Sequence, residues 1–470
     1  MTLANIEQIS SMDNIYIFML IAITVLATID IVVGVSNDAI NFLNSAIGSK
    51  AISMRTIMIV ASLGIFVGAV YSSGLMEVAR KGIFIPAMFN FNEIMYIFMA
   101  VMITDILLLD FFNTLGLPTS TTVSIVFNLL GAAVVMSLIK IGTSETQTLS
   151  DLVNYINTDK ALQIISGIVM SVFIAFTIGA LVQWISRLIF TFQIEKKIKN
   201  FGVIFGAFAL TAITYFIFLK GLKGTPYYKD LKGSIEGNEA YIISASFVLW
   251  LIVSYVFQAI TKKTILLVVI AVGTFGLALA FSGNDLVNFI GVPMAAYHSY
   301  EAWAVSGIDA TMFSMEVLDK KVPAEPLLLF ISGGIMVVTL LLSKKARTVA
   351  ETEISLSRQS DTHEKFEPNM LSRGIVKGAT QLSKYFNFIL PKSIQENIGK
   401  RFQTPDLVLT KDQSIDAPAF DLIRASVNLM VAGILIAVAT TMKLPLSTTY
   451  VTFMVAMGTS FADKAWGRES

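Results

Sequence analysis

Two polar motifs occur twice in this sequence, in the same order, and both contain side chains that can bind ions. The first, Asn-Asp-Ala-Ile-Asn at 37–41, is echoed by Asn-Asp-Leu-Val-Asn at 284–288. The second, Pro-Thr-Ser-Thr-Thr at 118–122, is echoed by Pro-Leu-Ser-Thr-Thr at 445–449. Repetition of this kind indicates two related halves of the chain.

The Asn-Asp motif offers hard oxygen ligands, the type that binds a cation such as Na+. Asn41 and Asn288 each follow an Asp by one helical turn, so each Asn can share a face with its Asp. The predicted sodium ligands are Asn37, Asp38, Asn41, Asn284, Asp285 and Asn288. Each Asp could instead carry a proton, and helix capping is a further alternative. Gly34 and Gly283 favour helix breaks beside these residues, which would free carbonyl oxygens for the cation.

The Ser-Thr-Thr motif is typical of a helix start, because Pro fits the first turn and Ser or Thr caps it. Such a start presents free N–H groups, hydroxyls and the positive end of the helix dipole to one point, which suits an anion. Two facing helix starts could replace the hydration shell of a tetrahedral oxyanion. The alternative is that the Ser and Thr side chains only cap the helices and bind no anion. The predicted anion ligands are Ser120, Thr121, Thr122, Ser447, Thr448 and Thr449.

The elements that position these motifs are apolar helices in a lipid bilayer. Apolar residues make up 55% of the chain and charged residues only 14%, whereas soluble domains have about 25% charged residues. A net charge of +1, no Cys and two His give no support for nucleic-acid binding or for thiolate or His metal sites. Since a span needs about 20 apolar residues, we expect helices at 15–35, 57–75, 94–112, 119–138, 161–190, 201–219, 240–259, 264–281, 326–342, 422–442 and 447–461.

The expected fold is an all-α polytopic membrane protein with two inverted repeats, broken helices and Ser/Thr-rich re-entrant hairpins at 119–138 and 447–461. The repeats are inverted because an odd number of spans separates the two Asn-Asp motifs. We expect a first repeat at 1–142, central helices at 143–260, and a second repeat at 261–342 and 421–470. A polar loop at 343–420 interrupts the second repeat.

Basic residues predict the orientation, because cytoplasmic loops are rich in Lys and Arg. The loop at 343–420 and most short basic loops fall on one side if every segment crosses, which leaves the N-terminus outside. The basic residues of those short loops are Lys50, Arg55, Lys196, Lys197, Lys199, Lys262 and Lys263. The loop with Lys220, Lys223, Lys229 and Lys232 falls on the other side. The expected location is a cell membrane, specifically a bacterial inner membrane. Asp105 and Asp110 are expected to pair with Asn113 or with water.

These motifs resemble those of the inorganic phosphate transporter (PiT) family of sodium/phosphate symporters, which shows Gly-Ala-Asn-Asp-Val-Ala-Asn and Pro-x-Ser-Thr-Thr-His in both halves. The continuation Ser-Ala-Ile-Gly-Ser-Lys-Ala at 45–51 is also similar to the family pattern. Ser36 stands where the family has Ala, and Val123 and Tyr450 stand where it has His. If that His contributes to proton coupling, its absence favours Na+. We also expect further helices after Ser470, as in family members.

The resemblance implies import of inorganic phosphate coupled to Na+ or H+, with the hairpins holding the anion and the Asn-Asp motifs the cation. The partners are then phosphate, sodium and the lipid bilayer, and no cofactor beyond the coupling ion is expected. Whether the protein also forms a homodimer is left open. Three alternatives remain. Sulfate is also tetrahedral, a channel would need no alternating access, and an intramembrane aspartyl protease would use Asp38 and Asp285 as a dyad. The protease leaves the Ser-Thr-Thr motifs unexplained.

Overall fold

A computed structural model describes residues 3–71, 82–192, 194–220, 237–319, 325–356, 392–402, 418–442 and 446–463, with a few isolated residues between these ranges. Regular structure in these ranges is helical, apart from two isolated bridges, Phe84 with Ile156 and Asn90 with Ser314. The α-helices are α1 (Leu3–Asp38), α2 (Ile40–Ser49), α3 (Met54–Tyr71), α4 (Phe91–Leu115), α5 (Thr121–Thr143), α6 (Thr158–Phe190), α7 (Ile194–Ile213), α8 (Glu239–Thr261), α9 (Leu266–Ala304), α10 (Pro326–Leu342), α11 (Lys344–Leu356), α12 (Lys392–Arg401), α13 (Leu422–Thr441) and α14 (Thr448–Ala462).

Every apolar segment expected to be helical overlaps one of these helices. Within the described ranges, seven helices are long and apolar enough to cross a membrane, or eight if α10 and α11, which meet at 65°, form one bent span. The apolar helices at Met54–Val70 and Phe201–Ile217 are shorter. The prediction of an all-helical, multi-pass membrane protein is confirmed. Most of the polar loop at 343–420 and Pro445 of the second motif lie outside the described residues.

The two Asn-Asp motifs differ in their place along the helices: the first spans the junction between α1, which ends at Asp38, and α2, which begins at Ile40, whereas the second lies within α9. The second motif is in the middle of α9, which is continuous through Gly283. Ala39, the third residue of the first motif, lies at the α1–α2 junction, where helical bonding continues from Ala39 N to Val35 O at 3.0 Å and from Leu43 N to Ala39 O at 3.3 Å. The helix break expected beside Gly283 is therefore wrong, whereas near Gly34 the helix is interrupted only at Ala39, between α1 and α2. Gly34 has a packing role, because a Cβ there would lie 2.2 Å from the ring of Phe289.

Two helical hairpins, α4–α5 and α13–α14, have their open ends at opposite ends of the molecule. The open end of α4–α5 is bonded to the start of α6 through Ile85 N and Tyr155 O, 2.9 Å apart. The open end of α13–α14 lies at the other end of α6, where Arg187 meets Asp463. Helices α1 and α2 together run between the same two ends. The ring of Tyr16 on α1 lies 5.0 Å from that of Phe91 at the start of α4, and Gly48 O on α2 accepts from Ala419 N, just before α13, at 2.8 Å. The two hairpins therefore point towards each other.

A buried ion cluster fixes the open end of α13–α14 to α6. Arg187 is fully buried and donates from Nε and Nη2 to the two oxygens of Asp463, at 2.7 and 2.8 Å. Its Nη2 also lies 2.6 Å from a carboxylate oxygen of Asp421, the N-cap of α13. Because breaking a buried pair leaves an uncompensated charge at a cost of about 3–5 kcal/mol, this cluster anchors the second hairpin firmly.

Large apolar side chains cover much of the outer surface of the helices. Leu107 on α4, Phe173 on α6 and Tyr255 on α8 are 66%, 66% and 68% exposed. An apolar exterior of this extent is unfavourable in water but matches hydrocarbon chains. The helices are therefore oriented with polar groups inside and apolar groups towards lipid, which concentrates the polar chemistry at the centre.

Candidate functional site

The two Ser-Thr-Thr motifs form buried helix starts. Ser120 is the N-cap of α5 and accepts from Val123 N at 3.2 Å. Ser447 is the N-cap of α14 and accepts from Tyr450 N at 3.0 Å. Capping of this kind uses a lone pair of the Ser oxygen and leaves its O–H group as a donor. Each start therefore offers a hydroxyl and unbonded backbone N–H groups to the interior.

The four Thr hydroxyls of these starts donate to the two motif carboxylates in a crossed pattern. Asp38 accepts from Thr121 on Oδ2 at 2.7 Å and from Thr449 on Oδ1 at 2.9 Å. Asp285 accepts from Thr122 on Oδ1 at 3.4 Å and from Thr448 on Oδ2. Each carboxylate thus receives one hydroxyl from its own half and one from the other half.

The Asn side chains one turn after each Asp extend the crossed pattern. Asn41 Nδ2 donates to Thr449 Oγ1 at 3.0 Å, and Asn288 Nδ2 donates to Thr122 Oγ1 at 2.9 Å. In each case the bond reaches the hairpin of the other half. Equivalent residues therefore make equivalent bonds in both halves, as expected for a pseudo-twofold site.

The first Asn of each motif departs from this symmetry. Asn37 holds the connection before α5, because its Oδ1 accepts from Thr119 N at 2.7 Å and its Nδ2 donates to Asn113 Oδ1 at 2.7 Å. Asn284 instead donates to Asp285 Oδ1 at 2.7 Å, and its own Oδ1 is buried without a hydrogen-bond partner among the described residues. The connection that would match Thr119 in the second half falls at 443–445, outside the described residues.

The electrostatics of this cluster favour a cation beside an anion site. Asp38 and Asp285 are both fully buried, and within the described part of the chain their hydrogen-bond donors are Thr and Asn groups. A buried carboxylate without a basic partner is costly unless a cation or proton neutralises it. The helix starts next to them supply N–H and hydroxyl donors, which suit an oxyanion.

A second polar cluster beside the site was missed by the sequence pattern. Asp105 on α4 accepts from Ser124 and from Asn128 Nδ2, the latter at 2.8 Å, and lies in hydrogen-bonding range of Asp30 on α1. The expected pairing of Asp105 and Asp110 with Asn113 is wrong. Asp110 instead bonds Lys345 at 2.6 Å, and Asn113 bonds Asn37. Asp30, Asp105 and the Ser124–Asn128 pair lie on three different helices, so their meeting leaves no periodic signal in the sequence, although an isolated Asp at position 30 in an apolar run is itself unusual.

A multi-pass helical protein with a buried pseudo-symmetric polar site between two opposed hairpins belongs to the class of membrane transporters, not of enzymes. Comparison with known proteins agrees with this assignment to the transporters. The sequence model of the "Phosphate transporter family" matches residues 34–355, and the chain belongs to that family.

Individual relatives are distant. The chain is 24% identical over 284 residues to a "putative phosphate permease" of Pyrococcus furiosus, a match that covers 58% of this chain and 64% of the relative. A protein of the same description from Thermococcus kodakarensis is 26% identical over 285 residues, covering 58% and 65%. The chain thus spans less than two thirds of the length of these relatives. A solved structure described as "The sodium-dependent phosphate transporter" shares the fold, with a TM-score of 0.59, 19% identity, and coverage of 95% of this chain and 90% of that chain.

Proposed function

We propose that this protein imports inorganic phosphate across the cell membrane by symport with Na+. The observation that carries the proposal is the crossed bonding at the centre, where Asp38 and Asp285 each accept one Thr hydroxyl from both hairpins. In this proposal Asp38, Asp285 and the neighbouring Asn oxygens bind Na+. The Ser and Thr hydroxyls, with the N–H groups at the starts of α5 and α14, bind phosphate.

The bonding between hydroxyl and carboxylate gives a physical reason for coupling. A Thr O–H that donates to Asp38 cannot donate the same hydrogen to phosphate. Sodium bound to the carboxylate competes with that hydrogen bond, while the Thr oxygen keeps lone pairs that can also contact the cation. Each hydroxyl released in this way becomes a donor for the anion. Binding of Na+ and phosphate is therefore expected to be mutually favourable, and such a coupling is reciprocal.

Phosphate is favoured over sulfate because the site combines donors with acceptors. At neutral pH phosphate carries a hydrogen that needs an acceptor, whereas sulfate does not. Asp38 or Asp285 lies within the ring of Thr donors and can supply that acceptor. A site whose buried acceptor loses a partner when the ligand lacks the matching hydrogen discriminates strongly against that ligand.

Labelled-phosphate uptake into proteoliposomes tests the proposal, with Na+ and proton gradients imposed separately and with sulfate as competitor. We expect uptake that follows the Na+ gradient and resists excess sulfate. Uptake that follows only the proton gradient would replace Na+ by H+ as coupling ion. Uptake blocked equally by both anions would favour a sulfate permease, and flux independent of either gradient would favour a channel.

The Asp285→Asn variant tests the carboxylate as a sodium ligand. The amide keeps the size of the side chain but removes the charge, so we expect the Na+ concentration for half-maximal uptake to rise by about tenfold or more, the loss of one charged interaction. Protein yield and thermal unfolding should change little. Asp309→Asn is the matched control, because Asp309 is exposed and bonds Thr311 within its own loop. Wild-type Na+ dependence in Asp285→Asn would show that the carboxylate does not bind sodium.

A further inference from the structure

The carboxyls of Asp30 and Asp105 form a second acidic pair, separate from the central site. Asp30 is 0% exposed and Asp105 is 1% exposed, and the two carboxyls interact with each other across the contact between α1 and α4. Asp30 is two helical turns before Asp38 on α1. The pair contains none of the residues to which the proposed function gives a role.

The surroundings of the two carboxyls differ. Asp105 Oδ1 accepts from Ser124 Oγ and from Asn128 Nδ2, so donors stabilise a charge on Asp105. Both oxygens of Asp30 are buried without a hydrogen-bond partner among the described residues. Two carboxylates in contact cannot both be ionised, because like charges at this distance repel strongly in a medium of low dielectric. Because the carboxyl of Asp30 has no hydrogen-bond donor in the described part of the chain and faces the carboxyl of Asp105, which has two, a positive charge is needed between them.

A proton satisfies this arrangement better than a metal ion. A neutral Asp30 donates its O–H to Asp105 and needs no other partner. A sodium ion would need several oxygen ligands besides the two carboxyls, whereas of the two groups that bond Asp105 only Ser124 presents an oxygen, and Asn128 presents its amide N–H. We therefore propose that Asp30 and Asp105 form a proton-binding site, with the proton on Asp30 shared with Asp105.

No basic side chain that the structure describes supplies the missing charge. On α1 the nearest charged group is Asp38, α4 contributes Asp105, and α9 contributes Asp285; α10 contributes no titratable residue. Among the side chains that the structure describes, the other charged groups on the packed helices are paired or exposed. Glu93 bonds Lys140, Asp110 bonds Lys345, and His298 bonds Glu301, while Lys344 and Glu351 of α11 are exposed.

Loss of this proton would place a new negative charge about 12 Å along α1 from Asp38, at 1.5 Å per residue. In a low-dielectric interior such a charge repels an incoming anion and attracts a cation. The site would therefore make phosphate affinity depend on pH, with tighter phosphate binding at acid pH. This consequence rests on the proposed function, whereas the presence of the proton does not.

Infrared spectroscopy of the full chain in lipid nanodiscs tests the proton itself. The C=O stretch of protonated carboxyl groups is followed while pH is raised, in wild type, Asp30→Asn, Asp105→Asn and Asp110→Asn. We expect one protonated carboxyl band to disappear in Asp30→Asn and to disappear or shift in Asp105→Asn. Asp110→Asn is the matched control on the same helix and should keep the wild-type band. Wild-type spectra in both Asp30→Asn and Asp105→Asn would overturn the proposal.

Uptake kinetics at saturating Na+ test the consequence. Phosphate itself titrates, so the measured quantity is the KM of each variant divided by that of wild type at the same pH. For Asp30→Asn, whose amide donates to Asp105 as the acid does, this ratio should fall with rising pH by up to about tenfold per pH unit, the limit for one proton. For Asp110→Asn it should stay near one. A constant ratio in Asp30→Asn, or a change only in its Na+ dependence, contradicts the proton site. Absence of wild-type phosphate uptake would refute the proposed function and leave the infrared result standing.

Discussion

At the scale of single residues, the site depends on hydroxyl groups that have two competing acceptors. Thr121 and Thr449 donate to the two oxygens of Asp38, and Thr448 and Thr122 do the same for Asp285. These hydroxyls satisfy buried carboxylates in the structure described here, and the same groups are the proposed donors to phosphate. The residue types alone predicted an anion site and a cation site. They could not show that the two sites share hydrogen bonds.

Substitution of Thr121 or Thr448 by Val tests the shared donors, because Val keeps the branched shape and removes the hydroxyl. A hydrogen bond to a charged group is worth about 1.5–3 kcal/mol, so the maximal rate divided by KM for phosphate should fall about tenfold to hundredfold. The matched control is Thr143→Val on α5, whose hydroxyl bonds Ile139 O and Lys140 O in its own exposed last turn. Equal phosphate kinetics in Thr121→Val and Thr143→Val would exclude Thr121 from the anion site.

At the scale of helices, glycine at contact points brings the backbones together. A Cβ at Gly458 on α14 would lie 2.2 Å from Phe176 O on α6, and one at Gly68 on α3 would lie 2.3 Å from Leu279 O on α9. Both obstacles are backbone atoms, which cannot rotate away. Small residues that allow such close approach are the usual basis of helix packing in membranes. The contact at Gly458 sets the position of α14 against α6, and with it the position of Thr448 and Thr449.

Gly458→Ala is therefore expected to destabilise the protein by about 1–3 kcal/mol, the usual cost of overpacking, and to reduce uptake because α14 must move. Gly167→Ala is the control on the partner helix, because no atom lies within 4 Å of the added Cβ; it should be neutral or slightly stabilising. Thermal unfolding of both variants in the same detergent gives the comparison. An equally stable Gly458→Ala would show that α6 and α14 can separate at little cost.

The hydropathy of the sequence located the helices well but placed their ends poorly around the motifs. The polar residues Asn284 and Asp285 lower the local hydropathy, so the apolar pattern predicts an end near Phe281, whereas α9 continues to Ala304. The helix continues because the polar side chains find partners across the interior, and those partners are distant in sequence. The same limit hid the approach of Asp30 to Asp105, since a contact between two different helices leaves no periodic trace in either one.

At the scale of the whole molecule, two hairpins enter from opposite ends and meet at one site. The open end of α4–α5 lies near Tyr155, and that of α13–α14 lies near Arg187, at the two ends of α6. This arrangement is what an inverted repeat would produce, and the inverted repeat itself stays a prediction. If it is correct, each hairpin is reached from a different side of the membrane, which is the geometry that alternating access requires.

The orientation that the basic loops predict can be measured directly, because the chain contains no Cys and any introduced Cys is unique. Ser150 lies exposed at the open end of α4–α5, and Met370 in the polar loop is 92% exposed. With the N-terminus outside, Ser150→Cys should react with a membrane-impermeant maleimide on intact cells, whereas Met370→Cys should react only after permeabilisation. The reverse pattern would invert the orientation, and labelling of both from one side would refute opposed entry of the hairpins. Because opposed entry requires the two cysteines to lie on different sides, this single pair of variants tests the orientation and the repeat geometry together.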